Sequence, residues 1–262
     1  MGEFTPAELV LSLSTDADDT SARFTDDELE VVFARRSGAG VYDLWTARRP
    51  SLAEPFGDPE LLATVNSVNS DMWPTLSPDG LRLVFDADRA TPGAFRVWSS
   101  RRPDRAAPFG PPALREELAM GEVQPHLANA AALYLASSTR PGLGAADIFR
   151  AELDADGALS EPVAVVGGVN TAEDERAPAV TADERQIFFR RTVNGEHDIY
   201  TATRSTAQDG FGVAEIVPAV SQPGVVEFPS WISPDGCHLY FHSNMPIDGG
   251  PAGYNIFVAR RS

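Results

Sequence analysis

The chain has 262 residues, with 21 glycines, 21 prolines and an apolar share of 43%. No run of roughly eighteen apolar residues occurs, so the composition describes a soluble, turn-rich, core-forming protein and excludes a helical membrane span. Its 38 acidic residues face 21 basic ones, all of them arginine, and the resulting charge of −17 repels nucleic-acid phosphates and anionic membranes.

From the N-terminus, MGEFTPAELVLSLSTD has neither a basic n-region nor a long apolar h-region. The expected compartment is therefore the cytoplasm, or the periplasm or exterior if a leader has been cleaved. Glu8 to Arg36, ELVLSLSTDADDTSARFTDDELEVVFARR, aligns with Glu60 to Arg89, ELLATVNSVNSDMWPTLSPDGLRLVFDADR. Further copies begin at Glu122, Glu175 and Glu227, so the five acids Asp19, Asp71, Glu122, Glu175 and Glu227 are spaced by 52, 51, 53 and 52 residues. Self-similarity at this period marks a repeat architecture.

Each copy reads as four short strands, a to d. Strand a runs into a turn such as Ser77-Pro78-Asp79-Gly80 or Ser233-Pro234-Asp235-Gly236, where proline sets φ and glycine accepts a positive one. Strand b alternates, as in Leu81 to Phe85 and His238 to Phe241. Strand c is YDLWTARR from Tyr42, FRVWSSRR from Phe95, ADIFRAEL from Ala146, HDIYTATR from His197 and YNIFVARR from Tyr254. A Phe-Gly turn, at Phe56, Phe109 and Phe211, then opens strand d. Four strands at this period form one propeller blade, because each small sheet must cover both faces with its neighbours.

The expected fold is all-β: one five-bladed β-propeller domain over residues 1–262, with four-stranded blades. The chain ends just after the fifth strand c, while Phe4 and Leu9 to Leu13 share the phase of Phe56 and of the strand-d run Leu61 to Val65. The N-terminal strand is thus expected to complete the last blade and close the ring.

The pattern of Asn-Ser or Asn-Thr, an acid, Pro, Ser-Pro-Asp-Gly and Asp-Ile-aromatic resembles the WD40-like repeat (PD40) of TolB-type propellers. It is carried by Asn66-Ser67, Asp71, Pro74 and Ser77 to Gly80, by Asn170-Thr171, Glu175 and Pro178, and by Asp147-Ile148-Phe149 and Asp198-Ile199-Tyr200. Arg96 and Asn255 depart from it, as does Asn129-Ala130-Ala131 in place of the Pro-Asp-Gly turn. The resemblance implies a propeller and leaves function open, since such relatives include protein-binding propellers, peptidase domains and polysaccharide lyases.

Candidate sites follow from the repeat. The five acids precede the strand nearest the axis and are expected either to ring one channel mouth or to cap their own loops by accepting backbone N–H bonds. Blade-to-blade asymmetry is the better guide to function, and it singles out Arg23, Met72, Trp73, Gln124, His126, Arg176, Phe228 and Trp231. Aromatic rings beside arginine, histidine and acids suit a concave ligand site, and the same rings also suit packing between blades.

A divalent metal is an open possibility, with Glu122, Gln124 and His126 sharing one strand face. His238 and His242 lie ~13 Å apart at ~3.3 Å per residue and cannot share an ion. Nucleophile and phosphate-binding motifs are missing, Cys237 reads as a small apolar residue, and Asp154-Ala155-Asp156-Gly157 reads as a hairpin turn. A monomeric binding module for a small molecule, peptide or protein at the channel mouth is the first expectation. The alternative is a carbohydrate- or small-molecule-directed hydrolase or lyase, which in the glycosidase case needs two carboxyl groups ~5–10 Å apart.

Overall fold

The computed structural model describes residues 2–118, 121–154 and 157–262, and they form a five-bladed propeller of antiparallel four-stranded sheets. Ala155 and Asp156 of the expected hairpin turn lie outside the described residues. The flanking groups make the turn's closing bonds, Gly157 N–H to Asp154 O at 2.9 Å and Ala158 N–H to Asp154 Oδ1 at 2.8 Å.

Strands a, b, c and d of blade 1 are Asp19–Phe24, Glu30–Arg36, Tyr42–Arg48 and Glu60–Leu61. Blade 2 has Asp71–Leu76, Arg82–Ala87, Arg96–Arg101 and Ala113–Leu114. Blade 3 has Glu122–Asn129, Ala132–Ser137, Asp147–Glu152 and Val163–Ala164. Blade 4 has Asp174–Val180, Gln186–Val193, Glu196–Thr203 and Glu215–Ile216. Blade 5 takes Glu227–Ile232, His238–Ser243 and Asn255–Arg260 from the C-terminus, and its strand d is Glu8–Leu9.

That last pairing closes the ring in the register Glu8 to Val258 and Leu9 to Phe257. Gly2 N–H to Ser262 O and Val10 N–H to Ile256 O extend the seam. The seam also repeats the packing of ordinary blades. The arginine that follows strand c lies over the phenylalanine of the turn before strand d, at 4.5 Å for Arg49 and Phe56, 4.4 Å for Arg102 and Phe109 and 4.3 Å for Arg204 and Phe211. Across the closure Arg261 meets Phe4 at 4.5 Å.

The core consists of one apolar cluster per blade interface, as a ring of sheets requires. Blades 5 and 1 share Phe24, Phe33, Trp231, Tyr240 and Ile256, whereas blades 4 and 5 share Phe188, Ile199, Phe241 and Phe257. The N-terminal segment feeds both, Leu13 into the first and Phe4 and Leu9 into the second.

The a–b turns show how the repeat tolerates departures. In blades 2 and 5, Gly80 and Gly236 sit at φ 72° and 73°, and the aspartate before each accepts the backbone N–H two residues on. Blades 1 and 4 place Glu28 and Glu184 there at φ 55° and 56°. A left-handed glutamate costs about 1–2 kcal/mol, and its side chain offsets that cost by tying two blades together. Glu184 accepts from Tyr134 Oη at 2.7 Å and Arg150 Nε at 2.6 Å, both on blade 3. Glu28 likewise accepts from Tyr240 Oη at 2.8 Å and meets His238 at 2.8 Å on blade 5.

The variant Glu184→Gly separates the two contributions. Relief of strain is worth about 1 kcal/mol, while stranding Tyr134, Arg150 and Arg204 costs about 3 kcal/mol. Urea unfolding should therefore show a net loss near 2 kcal/mol. A more stable variant would mean that the backbone strain dominates.

Candidate functional site

The five repeat acids are fully buried, and at Asp19, Asp71, Glu175 and Glu227 the carboxylate closes a loop instead of opening onto the channel. Asp19 accepts from Thr15 N–H at 2.7 Å, Asp71 from Ser67 N–H at 2.6 Å, Glu175 from Thr171 N–H at 3.0 Å and Glu227 from Gln222 N–H at 3.1 Å. Four of them also meet an arginine from their own blade. Asp19 pairs with Arg35 at 2.5 Å, Asp71 with Arg89 at 2.7 Å, Glu175 with Arg191 at 2.8 Å, and Glu122 with Arg140.

Those arginines lie over aromatic rings: Arg35 is 5.3 Å from Trp45, Arg89 is 5.1 Å from Trp98 and Arg191 is 4.8 Å from Tyr200. Each acid and its arginine thus form a desolvated structural unit. Among the described residues Glu227 lacks such an arginine. Burial pushes its carboxyl up to about 8, and Asp198 and Glu196 nearby act in the same sense.

The axis is plugged rather than open. Arg23 is fully buried and crosses from blade 1 to reach His126 Nδ1 at 3.0 Å on blade 3 and Pro178 O at 3.3 Å on blade 4. His126 Nε2 in turn accepts from Val180 N–H at 2.9 Å. Burial lowers the Arg23 guanidinium to about 9. Burial and the Arg23 charge together push His126 well down and His242 down to about 3, so both rings are neutral near pH 7.

Trp231, expected at the mouth, packs into the core between blades 5 and 1, 5.4 Å from Phe24. Gln124 is nearly buried, and its side-chain oxygen accepts Ala177 N–H at 2.9 Å. The lower axis leaves a void of only about 10 Å³ beside His126, roughly the space of one water.

A shared backbone device builds the upper mouth. Strand a is bulged in all five blades, and in blades 1 to 4 the residue two after each acid is left-handed: Ser21 at φ 56°, Trp73 at 50°, Gln124 at 58° and Ala177 at 53°. A bulge re-aims side chains and frees an N–H group. Two of the freed groups go to strand b of the preceding blade, Ser21 N–H to His242 Nδ1 at 3.2 Å and Gln124 N–H to Asp86 at 2.6 Å. Asp86 is buried, its other oxygen has no partner among the described residues, and burial raises its pKa well above the usual carboxylate range.

Recurrence makes the left-handed bulge structural, and what it carries in blade 2 is particular. Tryptophan is an expensive occupant of this conformation, yet Trp73 sits there half-buried, its ring 5.6 Å from Phe228 and 5.3 Å from His242. Phe228 stacks on His242 at 4.8 Å, and Tyr254 borders both. Arg190 lies 4.8 Å from the Phe228 ring and bonds Asp174, which Arg176 also holds at 2.8 Å. The mouth therefore joins an aromatic platform to two guanidinium groups sharing one carboxylate.

Known proteins match this geometry only at the level of the fold. No protein-family model matches the chain, and no curated protein sequence is similar to it. Among solved structures it is similar to the RS223 β-xylosidase, with a TM-score of 0.66, 12% identity and coverage of 97% of this chain and 94% of that one. It is also similar to the GH43_1 enzyme from Xanthomonas citri, with a TM-score of 0.64, 17% identity and coverage of 98% and 91%. For TolB from Acinetobacter baumannii the TM-score is 0.59 at 14% identity, covering 96% of this chain and 56% of that one. The chain thus spans little more than half of the TolB chain. All three likenesses support the propeller fold.

Of the residues expected at the mouth, the structure brings Trp73, Arg176 and Phe228 together, leaves Met72 half-buried, and places Arg23, Gln124, His126 and Trp231 inside the ring. Asp174, Arg190, His242 and Tyr254 complete the mouth. Asymmetry in strand b holds the signal for two of these, because the positions paired one residue after the repeat acid are Ala34, Asp86, Ala136, Arg190 and His242. Among the described residues no group of three or more His, Cys, Asp or Glu side chains is arranged to hold a metal ion.

Proposed function

We propose that the chain is a carbohydrate-directed propeller that takes a saccharide at the upper mouth of the axis. The observation that carries this reading is the half-exposed Trp73 and Phe228 platform flanked by Arg176, Arg190 and Asp174. Sugar rings present apolar C–H faces to an aromatic ring while their hydroxyls engage charged groups at its edge, which is the mixture this mouth offers. Membership of the WD40-like repeat family belongs to the same proposal and rests on the repeat motifs.

Hydrolysis is the second reading, favoured by fold neighbours described as a β-xylosidase and as a thermostable family-43 glycoside hydrolase. It requires a proton-bearing and an ionised carboxyl group across the sugar. Asp86, whose carboxyl is raised well above the usual carboxylate range by burial, and Asp174 at the rim are the residues we assign to that chemistry.

Calorimetry with xylo- and arabino-oligosaccharides, alongside assay of released reducing sugar, tests both readings. Trp73→Ala should weaken binding at least about tenfold, as loss of a stacking ring worth ~1.5 kcal/mol requires, with the unfolding midpoint little changed. Sugar release that disappears in Asp86→Asn supports the hydrolase, and binding without release supports a lectin-like role. Binding of a cationic peptide in preference to every sugar would overturn the proposal.

A further inference from the structure

The charges at the mouth do not balance, and their sign is opposite to that of the molecule. The chain carries −17 overall, yet beside the Trp73 and Phe228 platform two guanidinium groups share the single carboxylate of Asp174. Arg176 spends only its Nε on that aspartate, at 2.8 and 3.1 Å, and its two terminal nitrogens have no hydrogen-bond partner among the described residues. Arg190 is more than nine-tenths buried, and its Nε is likewise without a partner. Below them Arg23 is wholly buried, with no carboxylate within ion-pair distance among the described residues.

Neighbouring groups do not supply the missing negative charge. His126 and His242 are neutral, and burial raises the carboxyl of Asp86 well above the usual carboxylate range, which favours its uncharged form. Asp18, on the neighbouring loop before blade 1, already meets Tyr42 at 3.1 Å and Arg36 at 3.5 Å. Other arginines also share a carboxylate, as Arg48 and Arg102 share Glu30 and Arg150 and Arg204 share Glu184, but among the described residues the mouth is where shared charge stands beside a half-exposed aromatic pair and an unpartnered, buried guanidinium nitrogen. A cation fork left open beside an aromatic platform is a receptor for a planar anion, because a guanidinium can bond both oxygens of a carboxylate at once.

We infer that the saccharide bound at this mouth carries a carboxylate, as a uronic acid residue does, with its sugar face on Trp73 and its carboxylate on the free fork of Arg176. The inference rests on the carbohydrate reading and sharpens it to acidic sugars.

The test uses the full chain and matched ligands: trigalacturonate, a xylotriose bearing one glucuronate branch, and the methyl ester of each. Esterification removes the charge and leaves the sugar face intact. The acid forms should bind at least about tenfold more tightly than their esters at low salt, and the gap should shrink as ionic strength rises towards about 1 M.

Arg176→Gln should close the gap while the ester's affinity stays within about twofold. Its unchanged unfolding midpoint would show that the fold is intact. Arg190→Gln provides a second variant with the same expected loss. Equal affinity for acid and ester overturns the inference and leaves the carbohydrate reading standing. Failure of all four ligands to bind, with the chain folded, overturns both.

Discussion

A chain lacking residues 1–14 should lose its cooperative unfolding transition, because the ring is then open. The segment contributes strand d of blade 5, and it fills two blade interfaces at once. Leu13 is fully buried between blades 5 and 1, while Phe4 and Leu9 pack between blades 4 and 5. Removing a deeply buried Leu or Phe costs roughly 2–5 kcal/mol. The loss of Leu13, the smaller losses of the partly buried Phe4 and Leu9, and the seam's backbone bonds together approach the roughly 5–15 kcal/mol that holds a domain folded. Circular dichroism melting reads the outcome directly, and a synthetic peptide of residues 1–14 added in excess should restore part of the transition. A truncated chain that melts at the temperature of the full one would refute closure by this strand.

Blade 5 yields the second large effect. Met245 stands two residues beyond Ser243, the strand-b partner of Glu227, as Arg89 stands two beyond Ala87, the partner of Asp71. The rings of Phe241 and Phe257 are there, stacked at 5.6 Å, and Met245 packs against their cluster. Blade 5 thus keeps the acid and the aromatic bed and lacks the cation. Glu227 faces Asp198 and Glu196 from blade 4, and burial holds its carboxyl up at about 8, against 4.5 for an exposed glutamate.

The sign of the pH effect follows. Between pH 4.5 and about 8 the unfolded chain is ionised at this residue and the folded chain is protonated, so unfolding releases a proton. The contribution to stability is complete at low pH and is lost as pH rises towards 8, on the order of a few kcal/mol in all. Glu227→Gln should remove that part of the slope. Met245→Arg should remove it too and make the protein more stable at pH 8, because the new guanidinium pairs with the ionised acid over the two rings. Denaturant unfolding at pH 5 and pH 8 reads both variants. An unchanged slope in Glu227→Gln would show that the carboxyl titrates normally.

The fold was legible because a propeller repeats its grammar in sequence: the acid at the start of strand a, the turn after that strand and the aromatic of strand c recur at nearly fixed spacing. Closure was legible from phase alone. What escaped the sequence lies where partners are set by three-dimensional register. The arginine for each acid sits on the paired residue in Arg35 and Arg191, two residues further on in Arg89 and three in Arg140. No fixed spacing announces that partnership.

Arg23 finds His126 across 103 residues and the propeller axis. Its position on the inner strand was readable, whereas its burial depends on a long side chain filling space that smaller residues leave. Trp231 was placed at the mouth because of its strand. The bulge in strand a shifts the register between Pro229 and Trp231, and the ring enters the core between blades 5 and 1. Glu28 and Glu184 occupy positions that favour glycine, for reasons found only on the adjoining blade.

The central claim is that the carbohydrate site is the axial mouth and not another depression of the surface. A groove of about 590 Å³ between the outer parts of blades 1 and 2, lined in part by Arg48, Glu60, Arg102 and Phe109, is the natural competitor. Its arginines are already committed to Glu30. A crystal soaked with a uronate-bearing oligosaccharide decides between the two. The expected result is a sugar ring against Trp73 with its carboxylate on Arg176, and a sugar seated in the groove with the mouth unoccupied would contradict the account.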